Sequence, residues 1–194
     1  MPEFNSERHS QLITEHWKVL HEPKSLLSTI MLSIPLMVIN LFITMVIVSL
    51  FVPISPSIFG IHQSSILLNI NFGAILVLIV LVIIHELLHL VFIPGFRRSD
   101  KTYLGITYFG GFVYSEEKIA KMRYICITIA PFVIISVLLP ILLGSLSLLT
   151  PYLMFLIFLN SMASSVDILT LILILYQVPS DSYITVNGMR SYWK

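Results

Sequence analysis

The chain has 194 residues, of which 57% are hydrophobic and 11% are charged, and its mean hydropathy is +0.95. This composition is far more apolar than that of an ordinary soluble domain, and it predicts an integral membrane protein. The net charge of +1 gives no support for nucleic-acid binding, and the single cysteine, Cys126, excludes an internal disulfide.

The N-terminal segment, residues 1–25, is mostly polar and precedes the first apolar run. A short amphipathic helix lying in the membrane interface is predicted around residues 10–20. Its apolar side consists of Leu12, Ile13, Trp17 and Leu20. The apolar run that follows is too long for the core of a cleavable signal peptide, so we expect it to remain as a first membrane span.

Four apolar stretches are each long enough for a helix to cross a hydrocarbon core of roughly 30 Å. They cover residues 26–52, 66–93, 122–149 and 151–177. The Thr150-Pro151 pair separates the last two stretches and favours a tight antiparallel helical hairpin. We therefore predict an all-α multi-pass membrane protein with four transmembrane helices. Residues 26–177 form its membrane domain and residues 178–194 a short C-terminal tail.

The second apolar stretch ends in the motif His85-Glu86-Leu87-Leu88-His89. On a helix, residues four apart lie about 40° apart around the axis and one turn apart in height, so both imidazoles can reach one metal ion. Glu86 lies on the same side and is placed as a general base rather than as a ligand. Such ionisable groups in an apolar helix are costly unless they are paired or metal-bound. The motif therefore predicts a zinc hydrolase site within the membrane.

The segment between the second and third spans, residues 94–121, contains aromatic and β-forming residues around a Gly-Gly pair. Residues 103–114 are therefore predicted to form a small β-hairpin or a bent strand. If this strand-forming segment lies against the motif, its free edge can hold an extended substrate through main-chain hydrogen bonds. The alternative is a hairpin that only caps the helix bundle.

The basic residues are unevenly distributed among the segments that join the spans. They lie before the first span, around residues 94–121 and in the C-terminal tail, whereas the other two loops contain none. By the positive-inside rule, both termini and residues 94–121 are predicted to face the cytoplasm, with the chain crossing the cell membrane four times.

A third metal ligand is expected, because a catalytic zinc ion usually has three protein ligands and one position open to water. Outside the motif, Asp167 is the only acidic residue deep in a predicted span. Asn160, Ser164 and Asp167 share one helical face, and the expected depth of Asp167 is within about 8 Å of the motif. Asp167 is therefore the candidate third ligand. The alternative is a structural carboxyl group bonded to Asn40 or to a serine.

The order of these features resembles the site-2-protease-like intramembrane metallopeptidases and, more closely, the small multi-pass bacterial zincin peptidases. The shared elements are the motif at residues 85–89, an aromatic strand from Gly105 to Tyr114, Ala130-Pro131-Phe132, and Asn187-Gly188 to Tyr192-Trp193. The resemblance implies that His85, His89 and Asp167 bind Zn²⁺ and that Glu86 is the catalytic base. It also implies Asn160 as a candidate partner of the substrate in the transition state.

The predicted function is that of an intramembrane zinc metallopeptidase, which hydrolyses peptide bonds in or beside membrane spans. Its expected partners are the lipid bilayer and a membrane protein or peptide substrate. Two other interpretations stay open from the sequence. The same four residues suit a protein that handles or transports metal ions, and a catalytically silent membrane scaffold would keep the same helices.

Overall fold

The structure is a computed structural model that describes residues 4–55, 57, 61–62, 65–66, 72–107 and 110–194. This part of the chain is mostly helical and also contains small β-sheets. Four of its helices are long and apolar enough to cross a membrane, as the sequence predicts. They are Leu26–Ser49, Gly73–Phe92, Lys121–Ser145 and Pro151–Gln177.

The N-terminal segment forms a helix that is shorter than predicted. Helix α1 is Ser6–Thr14, and its N-terminus is capped by the Asn5 side chain, which accepts a hydrogen bond from the Arg8 N–H. The chain turns after α1 because His16 adopts a φ of 65°, and it continues as the short strand β1, Lys18–Val19. Of the four residues predicted on the apolar side of this segment, Leu12, Trp17 and Leu20 are buried, whereas the Ile13 side chain is 45% exposed.

The first two spans are single helices. Helix α2 is Leu26–Ser49 and helix α3 is Phe72–Phe92, and most residues of both are apolar. Helix α3 is followed by Pro94 and by Gly95, whose φ of 66° suits the glycine that commonly follows a helix C-terminus. Strands β2 (Ile61–His62) and β3 (Ser65–Ile66) pair antiparallel between these helices. The predicted start of the second span at residue 66 is wrong, because Ile66 belongs to β3, and residues 67–71 lie outside the described residues.

The predicted hairpin after α3 is present. Strand β4, Thr102–Thr107, pairs antiparallel with β5, Gly110–Ser115, in a register that places Thr102 opposite Ser115. Tyr108 and Phe109, which join the two strands, lie outside the described residues. The hairpin is a two-stranded sheet of its own, so each strand has one edge that does not pair within it.

The last two spans are interrupted helices. The third span passes from an α-helix into a π-helix and back, and the fourth is divided at Ser164. Strand β6 (Ile119–Ala120) precedes the third of the four long helices, whose parts are α4 (Lys121–Pro131), the π-helix Phe132–Leu138 and α5 (Leu139–Ser145). The fourth consists of α6 (Pro151–Ala163) and α7 (Ser165–Gln177). The predicted break at Thr150-Pro151 is confirmed, because the Thr150 side chain caps α6 by accepting a hydrogen bond from the Leu153 N–H.

The prediction of an all-α fold omitted a second β-structure, which joins distant parts of the chain. Strands β7 (Tyr183–Asn187) and β8 (Arg190–Trp193) form a hairpin after α7. The whole sheet has four antiparallel strands in the order β1-β8-β7-β6. The residues predicted as a C-terminal tail therefore provide the two central strands of this sheet.

The chain divides into two compact units, of which the first consists of Met1–Ser33, Glu86–Ala130 and Val166–Lys194. This unit contains the four-stranded sheet and the β4–β5 hairpin. Its buried apolar residues form three clusters, which are Leu20, Ile174, Val178 and Ile184; Leu12, Trp17 and Tyr192; and Ile93, Ile119 and Ile127. The last cluster surrounds the point where α3 ends.

The second unit consists of Ile34–His85 and Pro131–Ser165. Buried polar groups join α2 to α6 within it. Asn40 Nδ2 donates to the Ser161 carbonyl at 3.3 Å, and the Thr44 and Ser161 hydroxyls are 2.8 Å apart. In an apolar helix pair such bonds are directional and therefore define how the two helices face each other.

Candidate metal centre

The motif residues occupy the last two turns of α3, which is one continuous helix from Phe72 to Phe92. His85 and His89 are therefore one turn apart on the same side of this helix, as the sequence predicts. The other side chains of α3 are apolar apart from Glu86, and both His85 and His89 are only partly exposed. The hydrogen bonds that each ring makes decide which of its nitrogens can bind a metal ion.

The His89 ring is held by a main-chain group. Its Nδ1 lies 2.8 Å from the carbonyl oxygen of Ile127 in α4. A carbonyl oxygen can only accept, so Nδ1 carries the hydrogen and donates it. In a neutral imidazole the lone pair then belongs to Nε2. This Nε2 lies 3.5 Å from Asp167 Oδ1, so the metal-binding nitrogen faces the predicted third ligand.

The His85 ring is held in the same way by a side chain. Its Nδ1 lies 2.9 Å from Asn160 Oδ1. The amide nitrogen of Asn160 donates to the Pro131 carbonyl at 3.1 Å and to Ser136 Oγ at 2.9 Å. Because the Pro131 carbonyl can only accept, the amide orientation is defined and its oxygen faces His85. His85 therefore also donates from Nδ1 and keeps its lone pair on Nε2.

Asp167 lies in the first turn of α7, directly after the break in the fourth span. The break is stabilised locally, because the Ser164 N–H and the Ser164 hydroxyl both donate to the Asn160 carbonyl at 2.9 Å. A helix that starts anew at this point presents its N-terminal N–H groups and the positive end of its dipole near the Asp167 carboxylate. The interruption thus provides a favourable place for an acidic group in an apolar segment.

Two of the predicted ligands face each other. His89 Nε2 and Asp167 Oδ1 are 3.5 Å apart, and together with His85, one turn earlier on α3, these residues could hold a metal ion. Two atoms that bind one tetrahedral zinc ion at about 2.0–2.2 Å lie roughly 3.3–3.6 Å apart. The 3.5 Å between His89 Nε2 and Asp167 Oδ1 matches that spacing and exceeds the length of a charge-assisted hydrogen bond. The donor set of two imidazoles and one carboxylate also suits zinc.

The catalytic candidate Glu86 packs against the hairpin. Gly111 in β5 approaches Glu86 so closely that an added Cβ would overlap Glu86 Cγ and lie 3.0 Å from Cδ. Only a glycine leaves room for this contact between the β5 backbone and the Glu86 side chain. The hairpin therefore lies against the motif. The interpretation that residues 94–121 hold a substrate requires this contact.

Two features of the site have no local sequence signal. The Ile127 carbonyl is a main-chain group, and the π-helix that places Pro131 and Ser136 beside Asn160 depends on packing between spans. For Asn160 itself the sequence suggested a substrate contact, whereas the structure shows it bonded to His85. The one sequence signal that placed Asn160 near the candidate metal centre was that it shares a helical face with Asp167.

Comparison with known proteins assigns the region that contains this centre to a family. A family model described as "Putative zincin peptidase" matches residues 78–183, which is more than half of the chain. The matched segment contains all the ligand candidates, Glu86 and the β4–β5 hairpin. No curated protein and no solved structure matches the chain.

Proposed function

The chain belongs to the zincin peptidase family over residues 78–183, and from this premise we propose that it is an intramembrane zinc metallopeptidase. The observation that carries the proposal is that Asp167 Oδ1 lies 3.5 Å from His89 Nε2, next to the apolar helix that also carries His85 and Glu86. The proposed reaction is hydrolysis of peptide bonds in or beside membrane spans. Its substrate is a membrane protein or a membrane-associated peptide.

The proposed mechanism assigns a separate task to each residue. His85 and His89 would hold Zn²⁺ through Nε2, and Asp167 would complete the set through its carboxylate. When bound, zinc lowers the pKa of a water molecule and polarises the scissile carbonyl group. Glu86 accepts a proton from the attacking water as its oxygen bonds to the carbonyl carbon. As the C–N bond breaks, Glu86 donates that proton to the leaving amine.

The hairpin supports a way to present the substrate. A helical substrate hides its carbonyl groups in i to i−4 hydrogen bonds, so the scissile segment must be extended before it can react. The β4–β5 hairpin has strand edges outside its own pairing, and Gly111 places its backbone against Glu86. We propose that a substrate segment adds to an edge of this hairpin as a further strand, with its carbonyl groups near the base.

The four-stranded sheet supports the predicted crossing of the membrane by all four helices. If each long helix crosses once, the N-terminal segment, the segment between spans two and three, and the C-terminal segment lie on the same side. The sheet takes its strands from these three segments, since β1 precedes the first span, β6 lies before the third and β7–β8 follow the fourth. Together with the positions of the basic residues, this supports a cytoplasmic location for both termini.

Cysteine labelling tests this topology. In a Cys126→Ala background, Ser57→Cys and Asp100→Cys introduce single thiols at exposed positions between spans one and two and between spans two and three. We expect an impermeant reagent added to intact cells to label Ser57→Cys and not Asp100→Cys. Permeabilised cells provide the control, in which both variants should react. Labelling of Asp100→Cys alone in intact cells would reverse the orientation.

The activity itself is tested with the purified, full-length protein in detergent and a panel of single-span reporter proteins. We expect cleavage that is lost after treatment with a zinc chelator and restored when Zn²⁺ is added back. Metal content measured on the same samples shows whether activity follows occupancy. A zinc-loaded protein that cleaves no reporter in a broad panel would contradict the peptidase assignment.

A further inference from the structure

The environment of Asn160 is that of a structural anchor inside α6. The side chain is 1% exposed, and every hydrogen-bonding atom of its amide is engaged. Its two N–H groups go to the Pro131 carbonyl and to Ser136 Oγ, and its oxygen accepts from His85. An amide whose two N–H groups are both committed has none left to donate to a reacting carbonyl oxygen.

The groups that hold the Asn160 amide are themselves held. Pro131 ends α4, and Ser136 lies in the π-helix that follows. Ser136 is fully buried, and its hydroxyl also lies 3.5 Å from the Ile157 carbonyl in α6. A π-helical turn of this kind is often found at a functional site, because it places groups where a regular helix cannot. Here it places two acceptors against one amide.

The two histidines of the motif thus donate the same kind of hydrogen bond to different acceptors. His89 donates to a main-chain carbonyl, that of Ile127, whereas His85 donates to the side chain of Asn160. Such a partner fixes the tautomer and the orientation of a metal-binding imidazole. For His85 this partner can be removed by a single substitution.

We propose that Asn160 is a positioning residue for the metal centre, which orients His85 so that Nε2 faces the ion, and that it does not contact the substrate. This inference rests on the zinc site of the proposed function. It replaces the transition-state role that the resemblance implied for Asn160 with a role in metal affinity. The two roles differ in a measurable way, since a transition-state partner alters turnover without altering metal binding.

The test measures metal affinity in the purified full-length protein, with Co²⁺ as a spectroscopic probe and a competing chelator to set the free concentration. Asn160→Leu keeps the approximate size of the side chain and removes the acceptor for His85. We expect it to weaken Co²⁺ binding about 10–100-fold. Asn160→Asp keeps an oxygen that can accept from His85 but loses both N–H donors, so its affinity should lie between those of Asn160→Leu and the wild type.

Ser161→Ala is the matched control. Ser161 is the next residue of α6, is 0% exposed, and also makes interhelical hydrogen bonds, to Thr44 and Asn40. Its loss should lower the thermal stability of the metal-free protein without changing Co²⁺ affinity. If Asn160→Leu does not fold, Ser136→Ala provides the same test, because it removes one anchor of the amide and should weaken binding to a smaller extent.

The outcomes separate this inference from the function on which it rests. A wild-type protein that binds neither Co²⁺ nor Zn²⁺ would remove the proposed function and the inference with it. Wild-type affinity in Asn160→Leu, or in Ser136→Ala where the leucine variant does not fold, would overturn the inference alone. Slower cleavage by Asn160→Leu at unchanged metal affinity would also overturn it and would favour a substrate contact. Weaker Co²⁺ binding in Asn160→Leu that Asn160→Asp restores in part supports it.

Discussion

Replacing Glu86 with glutamine is expected to lower cleavage by at least about a hundredfold while zinc content stays near that of the wild type. Glutamine has the size and shape of glutamate, so it should still fit against the Gly111 backbone. It cannot accept the proton of the attacking water, which removes general base catalysis. The measurement is turnover of a single-span reporter together with metal content in the same preparations.

Glu117→Gln is the control for this experiment, because it makes the same chemical change outside the motif. Glu117 accepts a hydrogen bond from the Ser99 hydroxyl at 2.6 Å, and glutamine can keep that bond. Its cleavage rate should equal that of the wild type. If Glu86→Gln loses metal as well as activity, the residue acts on the ion rather than on water. A metal-transporting protein would behave in that way, since removing a charge beside the ion would weaken binding and flux together.

Removing a ligand should abolish metal binding rather than slow the reaction. In Asp167→Ala and His89→Ala the site keeps only two protein ligands, one fewer than catalytic zinc sites usually have. We expect a loss of zinc affinity larger than the about 10–100-fold cost of losing a residue that only supports a ligand. Elemental analysis after dialysis against a mild chelator should find little zinc in either variant.

Thr170→Val is the matched control for Asp167→Ala. Thr170 lies one turn further along α7, and its hydroxyl donates to the Val166 carbonyl of the same helix at 3.1 Å. Its zinc content should match the wild type. Zinc retained at wild-type levels in Asp167→Ala would remove this aspartate from the ligand set and leave its position beside His89 without a metal-binding role.

The four long apolar helices and the motif could be predicted because their signals are local. Twenty or more apolar residues in succession determine a span, and the four-residue spacing of His85 and His89 determines their common face. The hairpin of β4 and β5 is also local, since its strands are separated by only two residues. Asp167 could be found because an acidic residue within a span stands out against apolar neighbours.

The four-stranded sheet could not be predicted in the same way, because its outer strands β1 and β6 have only two residues each. So short a strand has no alternating pattern, and its position depends on partners far away in the sequence. The β7–β8 hairpin did have a local signal. The two-residue loop is Gly188-Met189, and Gly188, with a φ of 61°, is the glycine that a type II′ turn needs at its first central position. In the sequence, Asn187-Gly188 contributed only to the family resemblance.

The supporting contacts of the metal centre were beyond sequence reasoning for a different reason. Which nitrogen of His85 or His89 can bind a metal depends on acceptors from α4 and α6. No spacing rule relates Ile127 to His89 or Asn160 to His85, because the helices meet only after packing. The sequence could therefore name the residues of the site, and the fold was needed to assign the tasks of Asn160 and Gly111.

The π-helix Phe132–Leu138 has a consequence for how relatives of this chain vary in length. Its final bond joins the Leu139 N–H to the Ile134 carbonyl, a turn that contains one residue more than an α-helical turn. One residue corresponds to about 100° of rotation on an α-helix, so deleting one residue here would turn every later side chain of the span to a new direction. A relative with a regular helix at this point should therefore differ by a single-residue gap, with compensating changes at both Ser136 and Asn160. Substitutions on either side of the π-helix change the span one side chain at a time. A change of length within the π-helix instead reorients all later side chains of the span at once.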